Sequence, residues 1–328
     1  MPAWSRRAYR SSTSAELSNP RAIRPTARPA DNRILPALAT VSVIWGTTFL
    51  AVRVMVETMP PLLGGALRFL AAGVVLLAAL AIRRGGVATV VAIGRPAHAA
   101  AAAIGLSLVG AFCLVGLAFG QHTTSGLAAL LYASVPLWVV VFRITIDRQR
   151  VARATLVSVM IGFAGVAFLL APRHGASAGS VLGVLLVLGA AALWAAGSFA
   201  ATRVPLPQDV MVSAGWQMVW GSMFALVAGT VAGEHLAVTE FSLRSWLALL
   251  YLLCLSSAIA FTIYTWLVQR APVSHTATWA YISPVIAVAA GWAVLGEPVA
   301  ASTIAGAALI AVSVAATIRS EARAVTRG

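Results

Sequence analysis

Arg68 is a permanently charged guanidinium set inside an apolar run, in the stretch ALRFLAAG, and it is the side chain in this sequence with the most binding chemistry to offer. Placing Arg at the centre of a membrane helix costs up to about 3 kcal/mol, so it calls for a carboxylate partner or a wet cavity. Glu57, on the outer side of the same hairpin, is the candidate partner. Aromatic and hydroxyl groups recur nearby: Trp45 is followed by Gly46, Thr47, Thr48 and Phe49, and Trp194 by Ala195, Ala196, Gly197, Ser198 and Phe199. Trp279 and Tyr281 precede Pro284, and Gln217 lies in GWQMVWGS. Indole faces with a few hydroxyls would line a mostly apolar pocket suited to small organic solutes. Each residue taken singly also suits helix packing, where Ser, Thr and Gly let backbones approach.

Pro136 and Pro284 fall near the middle of apolar runs. A proline there removes a backbone hydrogen bond and crowds the carbonyl four residues earlier, here those of Tyr132 and Ala280. Such breaks in matching places of two repeats point to a binding region. No bond-making constellation accompanies them. The histidines (His98, His122, His174, His235, His275) lie at run ends or in gaps, without HxxxH or HExxH spacing, and no Asp or Glu lies well inside a run. There is no GxxxxGK phosphate loop. No catalytic residue, metal site or cofactor is expected.

The elements that would position these residues are membrane helices. The 328 residues are 60% hydrophobic and 10% charged, against about a quarter charged in a soluble domain. A bilayer core of about 30 Å needs about 20 apolar residues in a helix, and ten such spans can be read: roughly 34–55, 62–82, 97–119, 124–144, 151–171, 180–202, 210–231, 245–268, 274–295 and 300–318. The formal net charge is +14, every cation being Arg. Arg is dense before span one, after spans two and four, and at the C-terminal end, whereas the alternate gaps hold only Arg173 and Arg244. The positive-inside rule then puts both termini in the cytoplasm. Residues 1–33 read as a disordered Arg-rich cytoplasmic tail, with a transit peptide as the competing reading, and 319–328 as a second tail. Cys113 and Cys254, both in apolar runs, behave as small hydrophobes.

The runs repeat. Trp45 falls on Trp194 at a spacing of about 149 residues, Arg68 falls on Gln217 at the same spacing, and Pro136 falls on Pro284 one residue closer. Two halves, 34–171 and 180–318, with five spans each must enter the membrane from opposite faces, so the fold expected is all-α with ten transmembrane helices in two inverted repeats. Secondary transporters with such repeats bind solute at the repeat interface.

The chain resembles the EamA family of the drug/metabolite transporter superfamily over residues 37–318. The resemblance is carried by VIWGTTFLAVRVMVETMPPLLGGALRFLAAG and by APVSHTATWAYISPVIAVAAGWAVLGEPVAASTIAGAALIAVSVA. The family's Trp-Gly falls on Trp45 and Gly46, its Arg on Arg68, its prolines on Pro136 and Pro284, and its Leu-Gly-Glu on Leu295, Gly296 and Glu297. Ala195 in place of Gly46, and TIDRQR at Thr145 to Arg150 where a Leu-Gly-Glu-like ending is usual, set the halves apart. The resemblance implies alternating access in the cell's inner membrane and export of amino acids, related metabolites or drugs. Uptake is the alternative, with an intramembrane enzyme or sensor subunit as other classes. A sensor would carry a soluble output domain, and the gaps hold none. Expected partners are a small-molecule substrate and the lipid bilayer, not nucleic acid, with a homodimer left open.

Overall fold

Ala, Leu and Val dominate the runs, and in hydrocarbon a helix satisfies its own backbone groups. In the computed structural model, which describes residues 32–170, 180–261, 263, 264, 267, 279–299 and 301–325, every regular element among the described residues is helical. In chain order these are α1 (Ile34–Met55), α2 (Pro61–Arg83), α3 (Ala88–Val91), α4 (Arg95–Gly120), α5 (Ser125–Tyr132), α6 (Val135–Thr145), α7 (Arg153–Leu170), α8 (Val181–Ala201) and α9 (Val210–Val231). Then follow a 3₁₀ turn (Val238–Glu240), α10 (Leu243–Tyr251), a π-helical segment (Leu252–Ala260), α11 (Trp279–Leu295) and α12 (Ala301–Val325). Seven stretches are long and apolar enough to cross a membrane, and 153–168, 282–295 and 304–316 are shorter apolar helices. Expectations for 1–31, for 171–179 and for 268–278 lie outside the described residues.

Three details differ from the sequence-based expectation. The gap after Arg83 contains the short α3. Helix α12 continues past the expected end at Ile318 to Val325, so part of the expected tail is helical. The fourth span is two helices, because the chain turns at Ala133 and Ser134, where the Ser134 carbonyl accepts the N–H groups of Leu137 and Trp138 at 2.9 and 3.2 Å. Pro136 thus sits in the first turn of α6, where a missing N–H is harmless. Pro284 instead lies inside α11 without interrupting it.

Polar residues start the helices at two rims. Thr124, Ser180 and Ser242 accept from backbone N–H groups three residues on, each cap being worth about 1 kcal/mol. At one rim the Glu234 carboxylate, beyond the end of α9, accepts the N–H groups of Leu62 and Leu63 at the start of α2, at 3.1 and 2.8 Å. At the other, Arg84 after α2 pairs with Asp209, which caps α9 through Met211 and Val212. Helices α2 and α9 therefore run antiparallel. Partial burial pushes the Asp209 carboxyl up, but the Val212 N–H, the Arg84 guanidinium and the Met211 N–H outweigh it and hold it below the usual carboxylate range.

Much of the packing keeps its pattern when the helices within 34–170 are exchanged for those within 181–325. The α2–α9, α7–α12 and α5–α11 pairs map onto themselves. The packing of α4 on α8 maps onto that of α10 and the π segment on α1, and α8 against α5 and α6 maps onto α1 against α11. Several contacts are close enough to require glycine, those at Gly46 and Gly105 among them. A Cβ on Gly46 would lie 2.8 Å from Ile286 and 2.9 Å from the Ser283 carbonyl, and one on Gly105 would run into the backbone of α9 at Gln217. By contrast, the GxxxG matches at Gly116/Gly120 and Gly229/Gly233 end at residues whose added Cβ would meet nothing.

Candidate functional site

The centre of the bundle holds a cavity of about 860 Å³, open space at its mouth included, within the size range of small-molecule sites. Helices α1, α2, α4, α5, α8, α9 and α11 and the π segment all contribute walls. Six residues picked out from the sequence line it: Trp45, Thr48, Arg68, Trp194, Gln217 and Trp279. Pro136 and Pro284 line a second cavity of about 450 Å³, which shares Phe49, Tyr132, Trp194 and Trp279 with the first. Both prolines thus meet the same aromatic wall. Ser198 joins neither cavity. It is exposed on α8, while its buried neighbour Gly197 packs against Ser107 of α4. The side chain of Tyr281 lies outside the described residues.

The wall is built of rings in mutual contact. Trp45 meets Trp279 edge-on at 4.6 Å between centroids, Trp194 meets Phe112 at 5.5 Å, and Phe49 meets Tyr132 at 5.6 Å. Offset and edge-on geometries of this kind are the favourable ones for aromatic pairs.

Arg68 is buried at 3% exposure, and its surroundings correct the expectation from sequence. Glu57 is not its partner. It faces Arg244 at 3.9 Å, because it lies in the turn beyond α1 at the rim while Arg68 is two turns inside α2. Among the described residues Arg68 forms no ion pair. Its Nε donates to Ser257 Oγ at 3.3 Å and an Nη2 N–H to Ser256 Oγ at 3.1 Å, and the guanidinium lies 4.5 Å from the Phe69 ring centroid and 5.0 Å from that of Phe112.

The hydroxyl order follows from counting protons. Thr48 Oγ1 donates to the Ile44 carbonyl at 2.8 Å, so its 2.9 Å contact with Ser256 Oγ is one in which Ser256 donates. A directed chain results, from Arg68 through Ser256 and Thr48 to a backbone carbonyl. Trp45 Nε1 donates to the Ser256 carbonyl at 3.4 Å, and Thr47 Oγ1 is 2.5 Å from Tyr251 Oη. Ser256 and Ser257 sit in the π-helical segment, a distortion that recurs at functional sites. Sequence reasoning missed both serines. Their signal was the polar pair in LCLSSAIA, in the middle of an apolar span.

A bundle of apolar helices around a central cavity, walled by corresponding spans of two halves, has the architecture of a multi-pass membrane transporter. The chain belongs to the EamA-like transporter family, which it matches at residues 33–171 and 181–319. It is 34% identical over 262 residues to the "Uncharacterized inner membrane transporter YedA" of Escherichia coli K12, covering 80% of this chain and 82% of the relative. It is 27% identical to the "Uncharacterized transporter YvbV" of Bacillus subtilis, over 84% of this chain and 88% of that one. It is 24% identical to a "Probable amino-acid metabolite efflux pump" of Salmonella typhimurium, over 82% of this chain and 89% of that one. A crystal structure 23% identical in sequence shares the fold, with a TM-score of 0.59 over 87% of this chain and 97% of that chain.

Proposed function

We propose that this transporter exports small organic metabolites by alternating access, with the central cavity as the route and Arg68 as its principal solute-binding group. The observation that carries the reading is a buried cation at the wall of a cavity bounded by both halves, held among the described residues by hydroxyls and ring faces. A guanidinium so placed is costly unless something anionic completes it. Trp45, Thr48, Trp194, Gln217 and Trp279 form the rest of the first cavity's proposed site, and Pro136 and Pro284 shape its extension.

Ten spans in two inverted repeats, 34–171 and 180–318, make up the proposed architecture. The antiparallel α2 and α9, the exchange-symmetric packing and the three shorter apolar helices beside seven long ones support it. The alternation of Arg between gaps supports cytoplasmic termini. Export is favoured over uptake by the efflux role in the name of the Salmonella relative. A growth screen separates the two directions. Cells overexpressing an exporter tolerate higher concentrations of its toxic solute, whereas an importer sensitises them. Sensitisation to every solute that gives a phenotype, with tolerance to none, overturns export.

A further inference from the structure

We infer that the solute is an amphipathic monoanion without an ammonium group: a carboxylate gripped by Arg68 and the Tyr132 hydroxyl, its apolar body lying against the indoles. This rests on the cavity being the transport route. Two unfilled donors face one cavity. A guanidinium has five N–H groups, and the hydrogen bonds of Arg68 among the described residues are the two to Ser257 and Ser256. Tyr132 is buried at 8% exposure, its hydroxyl has no hydrogen-bond partner among the described residues, and it lines both cavities. Both groups flank Phe112, whose ring centroid is 5.0 Å from the Arg68 guanidinium carbon and 6.1 Å from the Tyr132 ring centroid. An unsatisfied buried donor is retained only at a cost in stability, and a carboxylate would satisfy both with charge-assisted bonds.

The carboxylates of the chain exclude the second half of an amino acid. Glu57 faces Arg244, Asp147 pairs with Arg203, and Asp209 pairs with Arg84. Glu234 holds the start of α2, Glu297 holds the start of α5, and Glu240 ends the 3₁₀ turn between α9 and α10. Glu16, Asp31 and Glu321 belong to the terminal segments, and the stretch 262–278 contains no acid at all. Among the described residues no Asp or Glu lines either cavity. An ammonium would find only ring faces and neutral oxygens there, beside a like charge in a poorly screened space.

Three probes with one body separate the charges: 3-phenylpropionate carries the carboxylate alone, phenethylamine the ammonium alone, and phenylalanine both. Calorimetry on the full chain in detergent should show 3-phenylpropionate binding about tenfold or more tighter than phenylalanine, the effect of one like charge at short range, with phenethylamine not binding. Tyr132→Phe should weaken 3-phenylpropionate about fivefold, as for one hydrogen bond, at an unchanged or higher melting temperature, because it removes a hydroxyl that has no partner. Arg68→Gln should abolish binding. Phenylalanine binding as tightly as 3-phenylpropionate, any binding of phenethylamine, no binding of 3-phenylpropionate, or a Tyr132→Phe affinity equal to wild type overturns the inference. Thiol labelling of a cysteine at Gln217 reads the route independently. If that position is reached from both sides while 3-phenylpropionate fails, the route stands and the solute class falls; if it is reached from neither, the transport reading itself falls.

Discussion

The Arg68–Ser256–Thr48 chain joins three separate helical segments through two hydroxyls, and each link has one proton to give. Thr48→Val removes the acceptor for the Ser256 hydroxyl while keeping the shape of the side chain. The proton of the buried Ser256 hydroxyl would then lack an acceptor, at a cost of about 1–3 kcal/mol. A lowered melting temperature in detergent is the expected result, and an unchanged one would show that Ser256 finds another acceptor. Arg68→Lys keeps the charge, but an ammonium on a flexible stem cannot bond both serines while lying over Phe69 and Phe112. Flux per folded molecule should fall at least about tenfold, the effect of 1.4 kcal/mol, and wild-type flux would reduce Arg68 to a point charge. At this scale the sequence was informative about which residues share a cavity and silent about whom they meet. Trp45, Thr48, Arg68, Trp194, Gln217 and Trp279 converge on one cavity. The partners of Arg68 lie far along the chain on a distorted helix, and no periodic pattern encodes such a pairing; proximity in sequence pointed to Glu57, which the rim claims instead.

Among the elements, the ends of helices carry the charge that the interior excludes. Gly296 takes a positive φ of 64°, turning the chain after α11 so that the Glu297 carboxylate accepts from the Ser125 N–H at 2.9 Å, the Ser125 hydroxyl at 2.8 Å and the Gly126 N–H at 3.3 Å. The Leu-Gly-Glu signature is thus a cap supplied by one half to a helix of the other. Glu297→Ala leaves the start of α5 without its anionic acceptor, and a loss of about 1–3 kcal/mol in stability is expected, read as a lower melting temperature that Glu297→Gln partly restores. Asp209 gives a pH signature. Its carboxyl is held below the ordinary range in the folded chain, so its contribution to stability is fully present above the unfolded value of about 3.9 and is lost as pH falls through the lowered folded value. The melting temperature of the wild type should drop more steeply below about pH 4 than that of Asp209→Asn; equal slopes would contradict the pairing. The positions of the seven long spans among the described residues were legible because apolar length is a strong signal. The break at Ala133 and the π segment were not, since both depend on how neighbouring helices take up the freed backbone groups.

The whole molecule is two matching sets of helices closed around a wall of rings, with carboxylates at both rims and Arg68 within. The proposed topology makes a simple prediction: alkaline phosphatase fused after Gly328 should be inactive and one fused at Gly233 active, and the reverse pattern would contradict it. The repeat was legible in the spacing of Trp45 and Trp194, and its proposed inversion rests on an odd number of spans per half. The cavity's composition was not, because it is the sum of side chains from eight helical segments. The central claim is that this cavity is the solute route, open to each side in turn. Its most direct test is a single cysteine at Gln217 in a chain with Cys113 and Cys254 replaced, exposed to a membrane-impermeant methanethiosulfonate in right-side-out and in inside-out vesicles. Labelling in both orientations, slowed in both by a transported solute, is the predicted result; a cysteine that stays unreactive in both orientations would contradict the account.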